Sequence, residues 1–108
     1  LHRLCDRAAP GNMRVALEFL MITAVQSMDS ALAIIRKADH PAAALLIDTI
    51  HFQRAGHRPA QLEELEASLL PYTQICDGNL DCETSFEAFL EVRSASLDYL
   101  EQKGIPVR

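Results

Sequence analysis

Ala44-Leu45-Leu46-Ile47-Asp48-Thr49-Ile50-His51-Phe52 is the stretch that most narrows what this chain can become. An unbroken run of alanine and aliphatic residues, with no polar alternation, suits a parallel strand covered on both faces. The run then stops on a carboxylate, Asp48, and an imidazole, His51, follows three residues later. Ligands and chemistry collect at the carboxyl ends of the strands in α/β proteins. Asp48 and His51 are therefore read as parts of a site.

The rest of the chain repeats the same pattern. Leu1 to Ala9 reads as a helix stopped by Pro10-Gly11. Met13 to Met21 is an apolar strand interrupted once, by Glu18. Thr23 or Ser27 can cap the next helix, in which Met28, Leu32 and Ile35 repeat at helical spacing, with Ala31, Ile34 and Ala38 widening that face. The second strand runs from Ala43 to Asp48, and Thr49 to Gly56 is expected as a loop or single turn. Arg58-Pro59 opens a further helix with a stripe of Leu62, Leu65 and Leu69, closed by Pro71. Its acidic run, Glu63-Glu64-Leu65-Glu66, marks a solvent face. Tyr72 to Cys76 is the third strand and Asp77-Gly78-Asn79 a turn. A last helix, capped at Thr84 or Ser85, carries Phe86, Phe89, Leu90, Leu97 and Leu100 and ends at Gly104.

Strict α-β-α-β-α-β-α alternation predicts a parallel sheet with helical crossovers, built as one domain over residues 1–108. Neither a Gly-x-Gly-x-x-Gly turn nor a phosphate loop occurs, which disfavours the nucleotide-binding versions of that architecture. A net charge of −5 with no Lys/Arg cluster argues against nucleic acid. No run approaches the roughly 20 apolar residues that span a bilayer. Three cysteines without a CxxC pair fit a reducing, cytoplasmic compartment. Cys76, inside an apolar strand, is expected to be a small buried thiol.

Each strand carries an oxygen donor at or near its carboxyl end: Glu18, Asp48 and Gln74. The three are about one βα unit apart, so adjacent parallel strands would bring them to one end of the sheet. Converging oxygen donors suit a hard or borderline divalent cation such as Mn²⁺ or Mg²⁺. His51 can add a nitrogen ligand, lie just behind the ligands as a donor, or shuttle a proton. Bland alternatives stand beside each residue. Asp48 can cap a helix, and Glu18 can pair with Arg14 or Arg54. His51 can be a satisfied loop residue and Gln74 a structural amide. His2, His40 and His57 read as solvated loop or helix-end residues, and Asp77 as a turn former or a substrate contact.

The segments Arg14-Val-Ala-Leu-Glu18-Phe-Leu20, Ala44-Leu-Leu-Ile-Asp48-Thr-Ile-His51-Phe-Gln-Arg54-Ala-Gly56 and Tyr72-Thr-Gln74-Ile-Cys-Asp-Gly78 resemble consecutive strand ends of the xylose isomerase-like (β/α)8 TIM barrel family. The Asp48-Thr49-x-His51-x-x-Arg54-x-Gly56 pattern is the most specific part. The resemblance implies roughly the fifth to seventh βα units of a barrel that needs about 250 residues in full. The expectation is thus a partial barrel: a fragment, a truncated product or a self-associating half. It further implies metal ligation by Glu18, Asp48 and Gln74, catalysis by Glu18 and His51, and substrate contacts from His51 and Arg54. Gln74 stands where many members carry histidine. The glutamate that the family's last strand supplies in a Gly-Glu-Gly context has no counterpart, and Glu101 lies in an expected helix. The activity so implied is a metal-dependent sugar or sugar-phosphate isomerase or epimerase acting on a polyhydroxylated small molecule. Co²⁺ and Zn²⁺ are the further metal candidates. A dehydratase of the inosose or dehydroshikimate type and a non-catalytic oligomeric module are the alternatives.

Overall fold

In the computed structural model, residues 1–76, 78, 98 and 102–104 are described below. The chain opens with helix α1 (His2–Ala8), which Pro10 converts into a 3-10 turn over Ala9–Gly11. Asn12 then takes a left-handed conformation with φ 54°, a region that asparagine tolerates better than most residues. Strand β1 (Val15–Glu18), helix α2 (Met28–Ala38), strand β2 (Ala43–Asp48), helix α3 (Thr49–Arg54) and strand β3 (Thr73–Gln74) follow. The three strands form a parallel sheet in the order β1-β2-β3.

Local chemistry fixes the ends of α2. The Ser27 hydroxyl accepts from the Ser30 amide, and the Ser30 hydroxyl accepts from the Ser27 amide, a reciprocal box that satisfies two donors at the helix start. Asp29 sits in the first turn, Arg36 and Lys37 in the last, each matching the helix dipole. Met28, Ala31, Leu32, Ile35 and Ala38 are buried. Ile34 is instead exposed, at the edge of the stripe expected to include it.

β2 is buried at all six positions. Its Ala43, Leu45 and Ile47 pack with Cys5, Phe19 and the buried face of α2 in the hydrophobic core. Ala44, Leu46 and Asp48 alternate with them onto the opposite face of the sheet. They are just as buried but do not belong to that core.

Several elements differ from expectation. β1 covers Val15–Glu18 rather than Met13 to Met21. Met13 is drawn back to α1, its amide donating to Ala8 O, while the Leu20 amide turns to Val25 O. Where a loop or single turn was expected, Thr49 to Arg54 forms a short helix capped by Asp48. The segment from Pro59 is two 3-10 turns, Pro59–Glu64 and Ala67–Leu69, not an α-helix. Leu65 and Glu66 adopt extended dihedrals between them, so their bonds run only three residues back, as in Leu65 amide to Leu62 O. Leu62, Leu65 and Leu69 still lie partly buried against the core, since a period of three also puts Leu62 and Leu65 on one side. β3 is cut to Thr73–Gln74 from the expected Tyr72 to Cys76. Most of the last helix expected from Thr84, together with Asp77, Cys82 and Glu101, lies outside the described residues.

Candidate metal centre

The sheet register places the polar strand ends. Glu18 pairs with Leu46, and Asp48 pairs with Gln74. Paired residues of a parallel ladder, and residues two apart along a strand, share a face. Glu18, Leu46, Asp48 and Gln74 therefore line the face away from the helices, with Glu18 one layer below the other two.

Asp48 is the only buried charged or polar side chain among the described residues, 4% exposed. A carboxylate is costly to bury unless something compensates it. Part of the compensation is local: the Ile50 amide donates to Asp48 Oδ1 at 2.9 Å, making Asp48 the cap of α3. Capping and a functional role, treated in the sequence as alternatives, are compatible, because the cap engages one oxygen only. The helix started by Asp48 brings His51 back over it, three residues on, at the spacing that puts helical neighbours side by side.

Glu18, Asp48 and His51 each offer a donor atom, and the three atoms lie within 4.8 Å of one another. Two ligands of one divalent ion, each about 2.0–2.4 Å from it, cannot be more than about 4.8 Å apart. The group fits that limit. Two carboxylates and one imidazole suit Mn²⁺, Mg²⁺, Co²⁺ or Zn²⁺ by donor type.

The remaining residues fall around this group. Gln74 is level with Asp48 on β3 and exposed. Arg54 ends α3, and a Cβ built on Gly78 would lie 3.8 Å from its Nη2 and overlap Ile50 Cδ1, so the chain beyond β3 passes close over this helix. Arg14 donates to Ala43 O at 3.1 Å, at the other end of β2 from the site, which removes it as a partner for Glu18.

Cys76 is exposed, not buried. Its backbone leaves β3, and the thiol faces acidic neighbours. Hydrogen bonding to Asp48 raises its pKa above 9.0, helped by desolvation and by the charges of Asp48 and Glu18. Sequence reading missed this proximity, although Cys76 follows Gln74 by two and so shares its side of the strand.

His2 is exposed at the start of α1, as expected, whereas His40 and His57 are partly buried; all three make hydrogen bonds. The Met28 amide donates to His57 Nε2 at 2.9 Å, and the ring packs against Phe19 and Phe52. His2 Nδ1 donates to Ala38 O, whereas His40 Nδ1 accepts from the Ala42 amide. Both rings also approach Asp6, at 3.6 and 3.4 Å. Nothing in the local sequence marks the long-range contacts among these, His57 with Met28 and His2 with Ala38.

Residues 1–105 match the model of a family described as xylose isomerase-like TIM barrel. The chain belongs to the xylose isomerase-like TIM barrel family. Its parallel βα units are thus units of that family's barrel, a fold of sugar-processing enzymes. The solved structure of a xylose isomerase-like TIM barrel/4-hydroxyphenylpyruvate dioxygenase fusion protein agrees with this fold, with a TM-score of 0.68 at 20% identity. The match covers 77% of this chain but only 14% of that one. No curated protein matches the chain. Among the described residues no helix is long and apolar enough to cross a membrane.

Proposed function

We propose that this chain carries part of the catalytic centre of a divalent-metal-dependent sugar or sugar-phosphate isomerase or epimerase. The observation that carries the reading is the convergence of Glu18, Asp48 and His51 within 4.8 Å at the carboxyl ends of adjacent parallel strands. A resident Mn²⁺ or Mg²⁺ would polarise a substrate carbonyl and its neighbouring hydroxyl. Asp48, Gln74 and Glu18 would hold the ion. Glu18 also accepts or returns the proton on the carbon beside the carbonyl, while His51 moves a proton at oxygen. Arg54, one turn beyond Ile50, contacts the hydroxyl or anionic end of the substrate.

Residues 1–108 correspond in this reading to about the fifth to seventh βα units of a partial barrel domain, completed by further strands or by self-association. The partner is a polyhydroxylated small molecule rather than nucleic acid or membrane, and the compartment is the cytoplasm. A Mn²⁺ titration tests the metal: about one ion binds per site and is lost in Asp48→Ala. Solvent deuterium tests the reaction, entering the substrate carbon next to the carbonyl in the wild type but not in Glu18→Gln. A wild-type chain that binds no divalent ion would sink the reading.

A further inference from the structure

β2 and β3 are joined by a ladder of only two residue pairs, Ile47 with Thr73 and Asp48 with Gln74. Beyond Asp48 the backbone of β2 turns into α3, so its main chain stops serving β3. The Thr49 side chain takes over at that point. Its hydroxyl donates to Cys76 O at 2.9 Å and accepts from the Cys76 amide at 3.0 Å, across 27 residues of sequence. One oxygen thus satisfies both backbone groups of the residue just past the strand, as a partnering strand would.

We infer that Thr49 is a positioning residue of the metal centre: by clamping Cys76 it pins β3 on the far side of Gln74 and holds that amide level with Asp48. Gln74 is then fixed from below by the ladder and from above by the hydroxyl. Among the described residues the β2-β3 ladder runs over those two pairs only, and both side chains of β3 are exposed. The inference rests on the metal reading given above, in which Gln74 is a ligand.

A hydroxyl is required, because donation and acceptance are both used. Thr49→Ser should preserve the clamp, and Thr49→Val removes it at nearly constant volume. Mn²⁺ affinity, measured by titration on the whole chain, should stay at the wild-type value in Thr49→Ser. It should fall about tenfold in Thr49→Val, the lower end of what losing a residue behind the ligands costs. In a Gln74→Ala background, already weakened, Thr49→Val should lower affinity no further, since the two act through one contact. Thr49→Ala serves in place of the valine variant if the latter does not fold, with circular dichroism as the check.

Wild-type affinity in Thr49→Val would overturn the inference. So would an equal loss with and without Gln74, which would mean that Thr49 acts only through the general fold. Both results leave the metal reading standing. A wild-type chain that binds no Mn²⁺ removes that reading, and the role given to Thr49 with it.

Discussion

The two faces of β2 are equally buried and serve different ends. On one, Ala43, Leu45 and Ile47 interlock with α2 and Phe19, and their burial is worth free energy of folding. On the other, Ala44 and Leu46 lead up to Asp48, a buried carboxylate that meets the Ile50 amide and lies in one cluster with Glu18 and His51. A single strand with period two can separate stability from chemistry by one residue step. The lesson is that burial alone does not tell a structural position from a functional one. The neighbours on that face do.

Substitutions can test this division. Leu45 is fully buried in the core, and Leu45→Ala should cost about 2–5 kcal/mol in urea unfolding. Whatever remains folded should still bind Mn²⁺, because Leu45 faces away from the donors. If affinity falls along with stability, the faces are not independent.

Asp48→Asn attacks the other face. Asparagine caps helices about as well as aspartate, so stability should change by less than about 1 kcal/mol while Mn²⁺ binding disappears. Asp48→Ala should lose the metal and in addition about 1 kcal/mol of capping. Equal stability of the two variants would show that the bond to the Ile50 amide contributes little.

A subtler effect concerns Cys76, whose pKa is raised by Asp48 and Glu18. Raising it favours the thiol in the folded chain. The contribution is fully present below 9.0 and is lost as pH climbs through the higher folded value. Alkylation of Cys76 by iodoacetamide should therefore show a midpoint above 9.0, which Asp48→Asn shifts back down. An unmoved midpoint would remove Asp48 as the cause. The smallest change is expected at Ile34, exposed at the edge of the α2 stripe. Ile34→Lys should alter stability by no more than about 0.5 kcal/mol.

Much of this was legible in the residues, for identifiable reasons. β2 announced itself because a strand buried on both faces admits no polar residue before its end. Glu18 at the end of β1, and Asp48 and His51 at and just after the end of β2, stood out as polar interruptions, and the fold brings them together. The helix at Thr49–Arg54 was hidden, since six residues that begin Thr-Ile-His carry little propensity and depend on the Asp48 cap. Leu62, Leu65 and Leu69 misled because their spacing is shared by α and 3-10 geometry. Cys76 and His57 were misjudged for another reason. Their surroundings come from residues distant in sequence, Thr49 in one case and Met28 in the other. Local pattern reports periodicity well, but not which backbone group a side chain will meet.

The Asp48 cap has one more consequence. Asp48 begins α3, Thr49 fastens β3, and His51 reaches the same cluster as Asp48, all within four consecutive residues. Groups that share one helical turn travel as a unit, so the turn itself sets how far the His51 imidazole stands from the Asp48 carboxylate. The turn is therefore unforgiving of length changes. One residue inserted between Asp48 and His51 would rotate the imidazole by about 100° around the helix axis, and the strand end would keep its carboxylate but lose the imidazole beside it.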